Sequence, residues 1–356
     1  MKRVLIACSR DWTGAARLPS MLGVSGLSVD VLARADSQIA ASRWVSKRHA
    51  VTGRMPRILG KLLDLAPGYD RVIACDEPLL MALLRDGDER ADGILPMPRE
   101  TLAALLDKTR FPALAAASGV RVAESVVASS DDELAEALER IGLPAVLKGL
   151  HGSGGNAVRL VADHASANAA ADEWGWPVLV ERAIDGASCL MPCLFERGRL
   201  VAGLLLERLR TVGENAPSSV IRLRPHDPEF VESVARFGQA LGVHGFVSVD
   251  FIAPADGSPP VVLEMNARPV PQLHLGRRFG VDMGAALRDG GLAGMDTPAI
   301  VTGSARVPLF PQELRRSRAG LGIVGGTVSW MLTPGAIRDV PWSDLPLVRR
   351  QLRPES

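Results

Sequence analysis

The sequence predicts an α/β fold built in several lobes, and three observations point there. Short apolar runs alternate with helical segments through the first hundred residues, a glycine-rich run follows a lysine-ended strand, and two acid-bearing strands flank a turn further on. Strand, helix and strand in succession imply a parallel sheet with helices on its faces. At 356 residues the chain is too long for one simple core, and 47% hydrophobic residues can fill two or three.

The N-terminal strands are read at residues 4–7, 29–32 and 72–75, with a helical stretch at 58–65. Pro19 falls inside the first presumed helix and is expected to end or kink it. A second region starts near residue 100. Leu102, Leu105 and Leu106 share one face of a helix over 99–108, Pro112 opens another helix that Gly119 ends, and residues 122–128 read as a strand. Ser130 and Glu133 form a capping box ahead of the stripe Leu134, Leu138 and Ile141, and Gly142 closes that helix. Strands follow at 144–148, 157–161 and 177–181, with a helix over 164–173. Asp227 and Pro228 open a helix carrying Phe230, Val234, Phe237 and Leu241 at helical spacing. Strands at 245–252 and 260–266 surround a Pro- and Gly-rich loop. Beyond about residue 300 the pattern loses legibility, and Arg315, Arg316 and Arg318 read as a solvated basic face.

Composition narrows the function. Lys plus Arg total 41 against 40 Asp plus Glu, a net charge of +1, and aromatic residues are 4%. Neither a basic field nor a stacking surface is present, so nucleic acid is not an expected partner. No apolar run near the N-terminus has the length of a signal core or a membrane span, so no membrane partner is expected and the cytoplasm is the expected location. Cys8, Cys75, Cys189 and Cys193 have neither disulfide-framework nor zinc spacing and read as buried thiols.

The chemistry-bearing residues are Asp250, Glu264 and Asn266. Side chains alternate along a strand, so Glu264 and Asn266 share a face, and a hairpin centred near Gly257 would bring Asp250 opposite Glu264. Three oxygen donors without His or Cys suit a hard cation such as Mg²⁺. Lys148 ends an apolar strand before Gly152, Ser153, Gly154 and Gly155, a run whose backbone N–H groups can close over a phosphate. Gly152, Gly154 and Ala157 also fit the dinucleotide fingerprint G-x-G-x-x-A, with Asp172 at the distance of a ribose acid, but that motif must open a helix and residues 157–161 read as a strand. No Walker A sequence occurs. Arg222 and Arg224 alternate onto one strand face and are candidates for a substrate carboxylate, as is His274 downstream of Asn266.

In order, Asp107-Lys108, Lys148 before a glycine loop, Glu181 ending a strand, Asp250, then Glu264-Met-Asn266-Ala-Arg268 resemble the ATP-grasp superfamily, in its carboxylate–amine ligase and carbamoyl-phosphate-synthase-like branch. The text of residues 241–246 carries the same resemblance, which covers about residues 100–290. It implies an ATP-grasp fold with a Rossmann-like pre-ATP-grasp domain over 1–100, an ATP-grasp domain over 101–295 with a mobile α+β lid at about 120–182, and a C-terminal extension, 296–356, packed on the ATP-grasp core. It further implies ATP as cofactor with two Mg²⁺ ions, Mn²⁺ being an alternative. Lys108, Lys148, Gly152, Ser153, Gly154, Gly155, Glu181, Arg182, Ala183, Ile184 and Ser188 would bind ATP. Asp250, Glu264 and Asn266 would bind metal, and Lys148 and Arg268 would serve catalysis. Arg222, Arg224, Arg268 and His274 would meet substrate. Ser188 stands where many members carry a ribose-binding Glu. The implied activity joins a small-molecule carboxylate to an amine, with a homodimer as the assembly that the resemblance suggests. A non-catalytic nucleotide-binding module and an NAD(P)-dependent oxidoreductase are the alternatives.

Overall fold

The computed structural model describes residues 1–150, 157–212, 217–291 and 297–353. Among them, sixteen strands form three sheets. The first holds β1 (Arg3–Ala7), β2 (Ser28–Ala33), β3 (Val45–Ala50) and β4 (Arg71–Ala74), all parallel, in the order β3-β2-β1-β4. Strand β3 has no counterpart in the sequence expectation because VSKRHA carries no apolar run. It is a sheet edge, where charged side chains guard an unpaired ladder. Pro19 lies in the first turn of the helix Leu18–Val24, so it opens that helix instead of kinking it.

The second sheet is antiparallel and consists of β5 (Ser125–Ala128), β6 (Ala145–Gly149), β7 (Val158–Val161) and β8 (Val178–Arg182), ordered β5-β8-β6-β7. The helices Asp131–Ile141 and His164–Trp174 cover it, and Leu134, Leu138, Ile141, Ala167 and Ala170 close a core of its own. The Ser130 hydroxyl caps the Glu133 N–H, but the Glu133 carboxylate accepts from Ser129 N at 2.7 Å, so the capping box is displaced by one residue.

The third sheet has eight strands. These are β9 (Gly186–Glu196), β10 (Arg199–Leu204), β11 (Leu206–Thr211), β12 (Ser218–Leu223), β13 (Gly245–Pro254), β14 (Val261–Asn266), β15 (Ala299–Val301) and β16 (Arg306–Pro308). Its main path runs β14-β13-β9-β11-β12-β16, with β10 and β15 branching from β9. Strand β9 is the axis. Its Met191, Cys193 and Phe195 pack with Phe237 of the helix Pro228–Ala240 and with Leu59 and Leu62 of the N-terminal lobe. Its Leu190 and Leu194 join the core formed by Val4, Ile6 and Leu22. All four cysteines are buried and free.

The expected packing of residues 296–356 on the ATP-grasp core describes only part of what they do. Strand β15 pairs with β10 and β16 with β12, but the remainder crosses to the N-terminal lobe. There the Asp344 carboxylate accepts from the Ser42 hydroxyl and from Arg43 N at 2.9 Å, and Arg350 meets Asp11 at 2.8 Å. The basic cluster is not a solvated face. Arg316 grips the fully buried Glu313 at 2.6 Å, and Arg318 donates to the Thr327 hydroxyl at 3.0 Å.

Asp339 locks this crossing. Its buried carboxylate accepts from Phe310 N and His274 Nε2, each at 2.8 Å, and lies 3.8 Å from Arg17 Nη1. Burial pushes its pKa up, but His274, Arg17 and the two hydrogen bonds outweigh burial and hold it below the ordinary value. A depressed folded-state pKa gives stability that is present above the unfolded value, about 3.9, and is lost as pH falls through the folded value. Asp339→Asn should therefore cost about 3 kcal/mol at neutral pH, as when one partner of a buried ion pair is removed. In urea titrations at several pH values, the gap from the parent protein should narrow below about pH 4.

Candidate active site

The β13–β14 hairpin sets the acidic end of the site. Asp250 is in register with Glu264, and Ser248 with Asn266. The Asn266 amide donates to Glu264 Oε1 at 2.9 Å, which turns its own carbonyl oxygen free of that contact. Burial pushes Asp250 above the usual carboxylate range. The Glu264 charge adds to this, while Arg208 and Arg268 pull the other way. Arg208, on β11, bonds Asp250 Oδ2 at 2.7 Å and the Ser188 hydroxyl at 3.1 Å. No cluster of three or more His, Cys, Asp or Glu suited to a metal occurs among the described residues. The donor set is instead two carboxylates and an amide, which fits a hard divalent ion. The buried Ser248 hydroxyl in register with Asn266 also has no hydrogen-bond partner among the described residues.

The second sheet supplies the cationic end. Val146 is in register with Glu181, so Lys148, two residues along, projects to the same face. The Lys148 ammonium lies 2.6 Å from Glu181 Oε2, both nearly buried. Lys108 donates to Gly149 O at 2.9 Å and thereby ties the start of the domain to the end of β6. Burial depresses the Lys108 pKa, while Glu264 draws it up, Lys148 down, and Glu77 and Glu181 up. Lys108 therefore lies within electrostatic reach of both Lys148 and the acidic hairpin.

The N-terminal lobe contributes residues that sequence reasoning missed. Asp76 follows β4, accepts from Ser9 N and Oγ at 2.6 Å each, and caps the helix Glu77–Asp86 through Leu79 N. This fixes Glu77 at the helix start. Burial raises the Glu77 pKa, opposed by Arg268 and Lys108 and reinforced by Glu264. The Arg268 guanidinium stacks 4.7 Å over the Trp12 ring. An acid just past a parallel strand was a usable signal, because ligands in open α/β sheets gather at the carboxyl ends of strands. Arg208 was signalled only by alternation within LERLR.

Other expected site residues fare differently. Gly152, Ser153, Gly154 and Gly155 lie outside the described residues. The segment after them forms strand β7, as expected, so the dinucleotide fingerprint opens no helix at Ala157. Ala183 and Ile184 are half-buried in the link between β8 and β9. The Arg182 side chain points away from Glu181 and pairs with Glu124 at 2.7 Å, which leaves only its backbone toward the link. Arg222 and Arg224 do not belong to this cleft. Arg222 is in register with Glu207 and Ile221 with Arg208, so Arg222 faces away from Arg208. Glu207 binds Arg222 at 2.7 Å and Arg224 at 3.5 Å, so a buried acid already holds both guanidiniums. His274 is likewise structural. Its Nδ1 faces Pro271 O at 2.6 Å and its Nε2 faces Asp339, leaving no ring nitrogen for substrate.

Residues 131–271 match a family described as an ATP-grasp domain. The chain carries an ATP-grasp domain. It is 28% identical over 187 residues to the carbamoyl phosphate synthase large chain of Gemmatimonas aurantiaca, a match covering 49% of this chain and 17% of that protein. It is 30% identical over 170 residues to the D-alanine–D-alanine ligase of Parabacteroides distasonis, covering 42% of this chain and 50% of that one. The chain thus spans half or less of these two relatives. The structure of carboxyaminoimidazole ribonucleotide synthase from Aspergillus clavatus complexed with ATP superposes with a TM-score of 0.70 at 16% identity, over 94% of this chain and 87% of that one. That likeness extends the ATP-grasp fold through the N-terminal lobe and the C-terminal segment.

The Lys148–Glu181 pair generates a test of its own. Lys148→Met leaves Glu181 buried and unpaired and should destabilise the protein by about 3 kcal/mol in urea unfolding. Adding Glu181→Leu should restore most of that loss, giving a coupling of about 1–3 kcal/mol in the double-mutant cycle.

Proposed function

We propose that this ATP-grasp protein is an ATP-dependent ligase that activates a small-molecule carboxylate as an acyl phosphate for attack by an amine, releasing ADP and phosphate. The observation that carries this reading is the convergence of Lys108 and Lys148 with Glu264 at one cleft, cations for phosphate beside oxygen donors for a divalent ion. The names of the relatives, which include carbamoyl phosphate synthase, D-alanine–D-alanine ligase and carboxyaminoimidazole ribonucleotide synthase, fit the same chemistry.

A carboxylate resists attack because its charge repels nucleophiles and oxide is a poor leaving group. Transfer of the γ-phosphoryl of ATP to one carboxylate oxygen gives ADP and an acyl phosphate, and an amine then displaces phosphate. Such transfer needs positioning and charge neutralisation more than covalent help from the protein. Asp250, Glu264 and Asn266 would hold Mg²⁺, which supplies countercharge to the phosphates. Lys108 and Lys148 bring their ammonium groups to the same cleft. Arg268, steadied on Trp12, adds a delocalised cation on the side where Glu77 lies, which suits an anionic donor. Glu77, a half-buried acid near that cation, suits the amine or its ammonium form. Arg208 orients Asp250 and Ser188 together, so the serine hydroxyl meets a guanidinium where a ribose-binding acid would otherwise stand.

Glu264→Gln keeps the size of the side chain and removes one anionic donor. Turnover, read as ADP release across paired candidate acids and amines with mass spectrometry of products, should fall about 10²–10³-fold, with an unchanged thermal melt. Near-normal turnover by that variant would overturn the mechanism.

A further inference from the structure

The last fifty residues carry a surface that the ligase reading does not use. From Ala319 to Ile337 no residue is charged, and Arg315, Arg316 and Arg318 precede that run while Arg338 follows it. The helix Gln312–Leu332 breaks at Gly322, with φ 72° and ψ 175°, into two arms of ten residues. The arms pack tightly, since a Cβ on Gly326 would fall 2.5 Å from Arg318 N. Trp330 turns inward against Phe310 at 5.9 Å, whereas Val324, Val328 and Met331, spaced for one helical face, turn outward.

Sixteen large apolar side chains are exposed among the described residues, and ten of them lie here: Leu321, Ile323, Val324, Val328, Met331, Leu332, Ile337, Trp342, Leu345 and Leu352. Ile323 and Val324, beside the break, are 74% and 79% exposed. A helix that is apolar on both faces calls for cover on both. Within this segment the exposed charge has one sign. Between residues 312 and 353 the exposed charged residues are Arg338, Arg349 and Arg353, while Glu313, Asp339 and Asp344 are buried and engaged.

We propose that this hairpin seats the protein on an anionic lipid surface, its apolar tip entering the headgroup–acyl boundary and its arginines facing lipid phosphates. An apolar face rimmed by cations is the pattern of an interfacial element. No helix of the described residues is long and apolar enough to cross a membrane. Each arm, at about 15 Å, is half of what a span requires, so the contact is peripheral. A two-fold copy of the chain fits less well, because it would set like-charged rims against each other around the shared axis. This departs from the sequence expectation of no membrane partner, which rested on the lack of a spanning segment. The proposal is independent of the reaction. The segment that follows the hairpin is held to the N-terminal lobe, Asp339 by Arg17 and Asp344 by Arg43 N, so the hairpin projects from a braced scaffold.

The test is flotation of the full-length protein with phosphatidylcholine vesicles, with and without phosphatidylglycerol, alongside light scattering for oligomeric state. Binding should require phosphatidylglycerol, weaken with added salt, and fall about tenfold or more in the double variant Ile323→Asp, Val324→Asp, whose melt and ADP release without vesicles stay unchanged. Absence of binding to charged vesicles, equal binding to neutral ones, or undiminished binding by the variant would overturn the proposal. So would a dimer that the same substitutions disperse while vesicles capture nothing.

Discussion

Two carboxylates facing each other across a strand pair are the constraint around which this molecule is arranged. Asp250 and Glu264 are in register on β13 and β14, and their repulsion inside a half-buried cleft must be met by cations. Arg208 answers on one side through its contact with Asp250, and the charges of Lys108 and Arg268 reach the same acids from others. Under the proposed function, that residual tension is what a divalent ion, and the phosphate charge delivered with it, would relieve. A hydrophobic hairpin in the same place would be easier to fold and chemically idle.

Each lobe contributes a different sign or shape to that cleft, and the packing explains how. The central β9 strand shares its two faces between two large cores, both of which include N-terminal residues, so the eight-stranded sheet and the parallel sheet are bound as one body. The antiparallel sheet carrying Lys148 and Glu181 closes its own small core and meets the rest through fewer links, among them the Lys108 bond to Gly149 O and the bridge of Val122 to Val262. A unit with a separate core can shift against its neighbour without breaking either. On the far side, the C-terminal segment joins the large sheet and then clasps the N-terminal lobe through Asp339, Asp344 and Arg350, fixing the Trp12–Arg268 side of the cleft to a braced scaffold.

Much of the architecture was legible before any coordinates. Short apolar runs marked the parallel lobe, and period-3.6 patterns marked the capped helix at Ser130 and the helix over Pro228–Ala240. What escaped had physical causes. Strand β3 is a charged edge, and β9 is buried on both faces, so neither alternates. Arg222, Arg224 and His274 looked like substrate groups because the sequence shows charge and spacing but not partners. Glu207 and Asp339, distant in the chain or hidden on a neighbouring strand, had already engaged them. Glu77 and Arg208 were overlooked for the converse reason, since neither sits in a conspicuous motif, and only the meeting of lobes turns them toward the site.

The order of Lys108, Lys148, Glu181, Asp250, Glu264, Asn266 and Arg268 along the chain determined the resemblance to ATP-grasp domains and the residue types of the candidate donor set, because residue type and strand alternation are local properties. Tertiary structure decided which charges face one another: Lys148 with Glu181, Arg208 with Asp250, His274 with Asp339. It also decided that an uncharged C-terminal stretch folds into a protruding hairpin and does not enter a core. Electrostatic pairing acts over a few ångström in space without regard to sequence separation, so it becomes readable only once the lobes are assembled.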